Sequence, residues 1–523
     1  MLLWAFLLAD LLVTHARVWT GDPKRPWSDS VAVEGDRIVA VGKTVPAKEA
    51  IDAKGRLVVP GFNDAHVHFL SGSLGLFEVD LTGICTVPAI QEAIRKWARE
   101  NPNEPWVTGR GWEYYCFPGS LPTKEMLDAA VPDRPAYILA YDGHSSWANS
   151  KALQLAGITK DTKFEGFGEI VHDAKTGEPT GAFKEGAGRL VSRLLPPDTR
   201  EQKLAALERG MKIAASLGIT SIQNASGGRQ EIELWQSALR TMRVAMAMSI
   251  GRGDCSSIAD LRGKYTGPEF KVAAVKFVID GVIESHTAAM LDNYADGSNT
   301  RGDLSRDEEG YRKAVAGCAA DGWQIYTHAI GDRAVRVALD AYEAGVPRDA
   351  RPRIEHIETI NAKDIARFAQ LGVLASMEPI HADPATVDVW SKAIGLERLP
   401  NSFAWRAIEK AGGRLVFSSD WPASISLNPI RGIHNAVNRQ TIDGKPKGGW
   451  LPQQRVSVET ALRGYTTAAA YASFEEKIKG TIAEGMLADF LILSQDLFRI
   501  RPEDIHKSQV DVTVFGGKVI YRR

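Results

Sequence analysis

Through the middle of the chain, short apolar runs alternate with stretches whose apolar residues recur every three or four positions. Leu204, Leu207, Met211, Ala214 and Leu217 share one helical face, which predicts a helix over 201–217. Gly218 ends it, and the apolar run 219–223 predicts the next strand. This helix-then-strand rhythm holds from residue 61 to about 475 and recurs through 458–471, the pattern of a parallel sheet wrapped by helices. The two ends differ. Short β-type runs at 28–33, 37–41 and 56–59 are matched near the other end by 478–482, 488–493 and 510–521, with turns at Glu484-Gly485 and Gly516-Gly517. Between about 71 and 195 the rhythm breaks, with aromatic residues from Trp112 to Phe117 followed by Pro118-Gly119.

The expected fold class is therefore α/β. A (β/α)8 TIM-like barrel is expected over 61–475, with an insertion after its first strand at about 71–195. The terminal pieces, 1–60 and 476–523, could close into one small β-sandwich. The first nine residues are apolar and could be the core of an export signal. They lack the basic residues such a signal carries and are too short to span a bilayer. A cytoplasmic location is slightly favoured, with export through a short or truncated signal left open.

A chain of 523 residues with 44% apolar and 24% charged residues can bury a large core. A net charge of −1 gives no reason to expect nucleic acid or an anionic membrane as partner. The four cysteines, Cys85, Cys116, Cys255 and Cys318, are scattered without a C-x-x-C spacing. That argues against a disulfide framework and against a cysteine metal site, so reduced structural cysteines are expected.

The candidate chemistry sits at the ends of apolar runs. His66-Val67-His68 follows the run 57–59, and in an extended backbone its two imidazoles point the same way. His328, His356 and Asp420 each close another such run, and a further run carries Lys276 among apolar neighbours before Asp280-Gly281. Histidines and a carboxylate at successive strand ends are how a barrel builds a site on its top face. Imidazole and carboxylate together suit zinc or a similar divalent ion.

These residues, with Asp142-Gly-His144-Ser-Ser-Trp, Thr327-His328-Ala-Ile-Gly-Asp332-Arg333, Ile354-Glu-His356 and Ser418-Ser-Asp420-Trp421-Pro422, resemble the amidohydrolase superfamily over nearly the whole chain. The resemblance is to its third amidohydrolase subgroup, which includes N-substituted formamide deformylases. It implies a composite β domain from both termini and an insertion that acts as a lid. It implies one metal on His66 and His68 within reach of Asp420, and a second on His328 and His356. Lys276, with its pKa lowered among apolar neighbours, could react with CO2 to form a bridging carbamate, N6-carboxylysine. The alternatives are a lysine that snorkels or pairs with Asp280, and a site with a single ion. Asp420 is the expected acid/base residue, taking the proton of a metal-activated water and passing it to the leaving amine.

His144, Glu185, His381 and Trp112 are candidates for binding substrate, each with a structural role as the alternative. The activity implied is hydrolysis of a non-peptide carbon–nitrogen bond in a small molecule, an N-substituted formamide or N-acyl amine. The alternatives are a deaminase or cyclic-amide hydrolase with the same ligand set, and, from another class, a non-catalytic regulatory protein or a Schiff-base enzyme using Lys276. Relatives of this kind often form dimers, which leaves a homodimer open.

Overall fold

The computed structural model describes residues 8–251 and 253–523. Most of the apolar N-terminal segment that could serve in export lies outside the described residues. At the centre is an eight-stranded parallel sheet in sequential order: β1 (Phe62–Val67), β2 (Ile219–Gly227), β3 (Arg243–Ser249), β4 (Phe270–Val278), β5 (Gln324–Ala329), β6 (Arg353–His356), β7 (Leu374–Met377) and β8 (Arg414–Phe417). The sheet curls until its edges meet. Just above β1 and β8, Asp420 N donates to His66 O at 2.8 Å and His68 N to Trp421 O at 2.8 Å, tying the two edge strands together where the site lies. The architecture is a TIM-like barrel, and its strands read as continuous apolar runs because helices cover their outer faces.

The helix predicted over 201–217 is Arg200–Ser216. Thr199 caps it: its side chain accepts from Gln202 N, and the Gln202 side chain accepts from Thr199 N. Gly218 turns the chain into β2 at φ +77, where a Cβ would stand 2.8 Å from Leu491.

Between β1 and that helix the chain leaves the barrel and builds a second sheet. Its spatial order is Val79–Asp80, Val107–Trp112, Ala136–Ala140, Ser145–Ala148, Pro179–Glu185, Gly168–His172. Ile90, Ile94, Val107, Trp112 and Trp147 form its core. Both chain ends supply a further six-stranded sheet, in which Phe490–Leu493 pairs antiparallel with Leu57–Pro60. A four-stranded sheet from the N-terminal part packs on it over Leu11, Val33, Val58, Phe490 and Val512.

Two expectations need correcting. The run 478–482 is a turn, not a strand. Ile478 N and Lys479 N both donate to Glu475 O while Ile482 N reaches across to Thr20 O, so no strand register runs through the segment. The cysteines are paired, Cys85 with Cys116 and Cys255 with Cys318. The first bridge lies within the inserted unit. The second ties the 3-10 segment Cys255–Leu261 to helix Glu308–Ala320. Separations of 31 and 63 residues in sequence concealed these pairings. No helix among the described residues is long and apolar enough to cross a membrane.

Candidate metal centre

The strand ends of the barrel bring His68, Lys276, His328, His356 and Asp420 to one cavity, with His66 fully buried beside them. His66 Nε2 and His68 Nε2 lie 3.4 Å and 3.3 Å from Asp420 Oδ1. That oxygen is buried and accepts no hydrogen bond. An uncapped carboxylate oxygen facing two imidazole nitrogens is costly unless a cation completes it, so this donor set fits a divalent ion. Asp420 holds φ +55, a conformation uncommon for a non-glycine residue, and this aims its carboxylate back over β1.

A second set forms around the other carboxylate oxygen. His381 Nε2 lies 3.7 Å from Asp420 Oδ2, and the ligand atoms of His356, His381 and Asp420 lie within 4.8 Å of one another. His356, itself at φ +76, packs its ring 4.5 Å from that of His328. His328 directs Nε2 to Gly281 O at 3.2 Å. The rings of His328 and His356 are thus neighbours, and His381 stands beside them.

Behind the histidines stands a row of buried carboxylates that sequence reasoning missed. His66 Nδ1 meets Glu355 Oε2 at 2.6 Å, and His356 Nδ1 meets Glu378 Oε2 at 2.9 Å. Such partners fix the tautomer that leaves the other ring nitrogen free for a metal. Glu355 is held by Arg353, which also donates to Ala65 O at 2.7 Å and lies over the Tyr326 ring. The available signal was a carboxylate at or just past a strand end, Glu355 before His356 and Glu378 after Met377.

Electrostatics divide the histidines. Burial pushes the pKa values of His66 and His328 well below the usual range and that of His356 down to about 3, so these rings are neutral and can ligate. His144 and His381 go the other way. Burial would lower both, but Glu185 raises His144 to about 9, and Glu358 with Glu378 raises His381 to about 10. Lys276 is buried, which lowers its pKa, and its Nζ lies 3.1 Å from His66 Nε2. It forms no ion pair with Asp280, whose carboxylate accepts from Ala289 N, Ile330 N and Gly331 N instead.

The cavity measures about 410 Å³ and opens beside His68, His144, Lys276 and Asp420. A small chamber continues from it past His381 and Glu358. Glu185 stands behind His144, bonded to its Nδ1 at 2.9 Å and to Thr287 Oγ1 at 2.6 Å. Trp112 does not reach the cavity. It is fully buried under the inserted sheet, with its indole N–H on Ile138 O. The register shift between Arg110 and Trp112 turns it inward and leaves Arg110 at the cavity wall.

Comparison with known proteins gives one consistent picture. A family model described as "Amidohydrolase family" matches residues 49–521. The chain is 31% identical to Protein LONG AFTER FAR-RED 3 of Arabidopsis thaliana, over 99% of this chain and 92% of that one. It is 28% identical to the N-substituted formamide deformylase of Arthrobacter pascens, over 99% of both. Among solved structures, an uncharacterized metal-dependent hydrolase from Pyrococcus horikoshii shares the fold, with a TM-score of 0.73 at 22% identity. That match covers 94% of this chain and 99% of the other.

Proposed function

The chain belongs to the amidohydrolase family, hydrolases of carbon–nitrogen bonds other than peptide bonds, and on that premise we propose that it cleaves a linear amide, an N-substituted formamide or another N-acyl amine. The observation that carries this reading is Asp420. Its buried, uncapped Oδ1 faces His66 and His68, while its Oδ2 lies toward His356 and His381. Likeness to the Arthrobacter deformylase over 99% of both chains supports the substrate class.

His66, His68 and Asp420 would hold one divalent ion, zinc or a close relative. His328 and His356 would supply donors for a second, with Lys276 as a carbamate serving both. Once bound, such an ion polarises the amide carbonyl and lowers the pKa of water. The chain's own groups do the rest. Asp420 takes the proton of the attacking water and returns it to the leaving nitrogen, so that amide and water become carboxylic acid and amine. His144, cationic, faces the cavity and donates its remaining N–H to the oxygen that gains charge at the tetrahedral stage, while His381, its ring held by Glu358 and Ala423 O, lends positive charge from the adjoining chamber. Glu185 orients His144 and Glu358 orients His381. We read the two terminal sheets as one composite β-sandwich that supports the barrel, and the inserted unit as the lid of the cavity.

The test is amine release from a panel of N-formyl and N-acyl amines, by zinc-loaded protein and its Asp420→Asn variant. Release that falls on the order of 10²- to 10⁴-fold in the variant is expected. No release from any amide by metal-loaded protein would overturn the linear-amide reading in favour of a deaminase or cyclic-amide hydrolase.

A further inference from the structure

Arg110 is the cavity-lining cation that the proposed chemistry leaves unused. It comes from the strand Val107–Trp112 of the inserted unit and shares the cavity wall with His68, Lys276 and Asp420. Its Nη2 donates to Pro422 O at 2.7 Å, which ties the inserted sheet to the loop carrying Asp420. Among the described residues no other acceptor meets the guanidinium, and no carboxylate lies within ion-pair distance of it. Glu78, Asp80, Asp142 and Asp420 act on its charge only from further away, and burial lowers its pKa. Outside the histidine and Asp420 cluster, the other ionisable groups on this wall have partners: Asp142 holds Tyr114, His144 holds Glu185, Glu231 holds Asn224, and Lys276 lies against His66. None of Arg110's remaining N–H groups is both sealed from solvent and unbonded, so they are accessible. A desolvated guanidinium with open donors on a substrate cavity is built to take a planar anion in a forked pair.

We propose that Arg110 binds a carboxylate on the substrate, so that this enzyme prefers N-acyl amines carrying a carboxylate, and that the inserted unit sets this preference. The proposal rests on the amide-hydrolase reading and narrows it. The strand geometry explains why Arg110 occupies the place. Gly111, at φ +96, has no room for a Cβ, which would stand 2.9 Å from Thr82 N. The bulge at this glycine directs Trp112 into the core and Arg110 to the wall.

The test compares racemic N-formylphenylalanine with N-formyl-2-phenylethylamine, which differ only in the carboxylate, on zinc-loaded wild type, Arg110→Gln and Arg110→Lys. Wild type is expected to favour the carboxylate-bearing partner in kcat/KM by on the order of 10- to 100-fold. In Arg110→Gln that ratio should collapse, mainly through KM, with Arg110→Lys intermediate. Absence of the preference in wild type, or a ratio unchanged in Arg110→Gln, would overturn the proposal. An equal loss on both substrates would also overturn it, by showing only a wall contact. If neither compound is cleaved, the amide reading fails separately. Calorimetric affinities of the same intact pair for wild type and Arg110→Gln then decide the role of Arg110 by the same ratio.

Discussion

At the scale of single residues, the candidate centre depends on which way side chains point at strand ends. His66 and His68 were legible because an extended backbone sends alternate side chains to one side. Glu355 was not, because alternation places it and its neighbour His356 on opposite faces of a paired strand, and Glu378 was not, because it lies just past Met377, the last paired residue of its strand. His356 and Ile357 both take positive φ, as does Asp420, and each leaves strand geometry just where the chemistry begins. Trp112 misses the cavity, and Arg110 reaches it, for a related reason, a bulge at one glycine. The carboxylates behind the histidines should act on the metal through the ring they hold. Glu378→Gln is expected to weaken zinc binding on the order of 10- to 100-fold, measured by competition with a chromogenic chelator. Unchanged affinity would show that His356 needs no such partner.

At the scale of elements, barrel strands were the most readable because burial on both faces makes each a continuous apolar run. Elements fixed by contacts distant in sequence were not readable. The two disulfides and the turn at 478–482 belong to that group. The turn is held by Glu475, buried between Lys479 at 3.0 Å and Lys271 of β4 at 3.2 Å. Burial would raise the pKa of Glu475, but the two lysines outweigh it and hold the group at about 2.

A folded pKa below the unfolded value of 4.5 contributes stability that is present above pH 4.5 and lost as pH falls toward 2. A shift of that size corresponds to about 3 kcal/mol. Burial pulls Lys271 down to about 8 against the raising effect of Glu475. That cost is about as large as the gain, so Glu475 chiefly compensates the burial of its lysine partners. Glu475→Gln is therefore expected to lower the thermal midpoint at pH 7, with the gap to wild type closing between pH 4.5 and about 2. A gap that stays constant across that range would contradict the assignment.

At the scale of the whole molecule, the chain folds back so that its two ends pair as neighbouring strands, Leu57–Pro60 with Phe490–Leu493. The barrel they flank was legible from its period. The inserted sheet was not, because its short strands interrupt that period without imposing one of their own. Barrel and insertion meet over one cavity, with histidines and Asp420 from the strand ends below and His144 and Arg110 from the inserted sheet above. That arrangement makes the central claim, metal-dependent hydrolysis of an amide at the barrel top, open to direct measurement. Stripping the protein with a chelator and restoring zinc stepwise, while following bound metal and amine release from an N-formyl amine, is the decisive experiment. Release is expected to vanish with the metal and to return in proportion to zinc bound. Full release from metal-free protein would contradict the account.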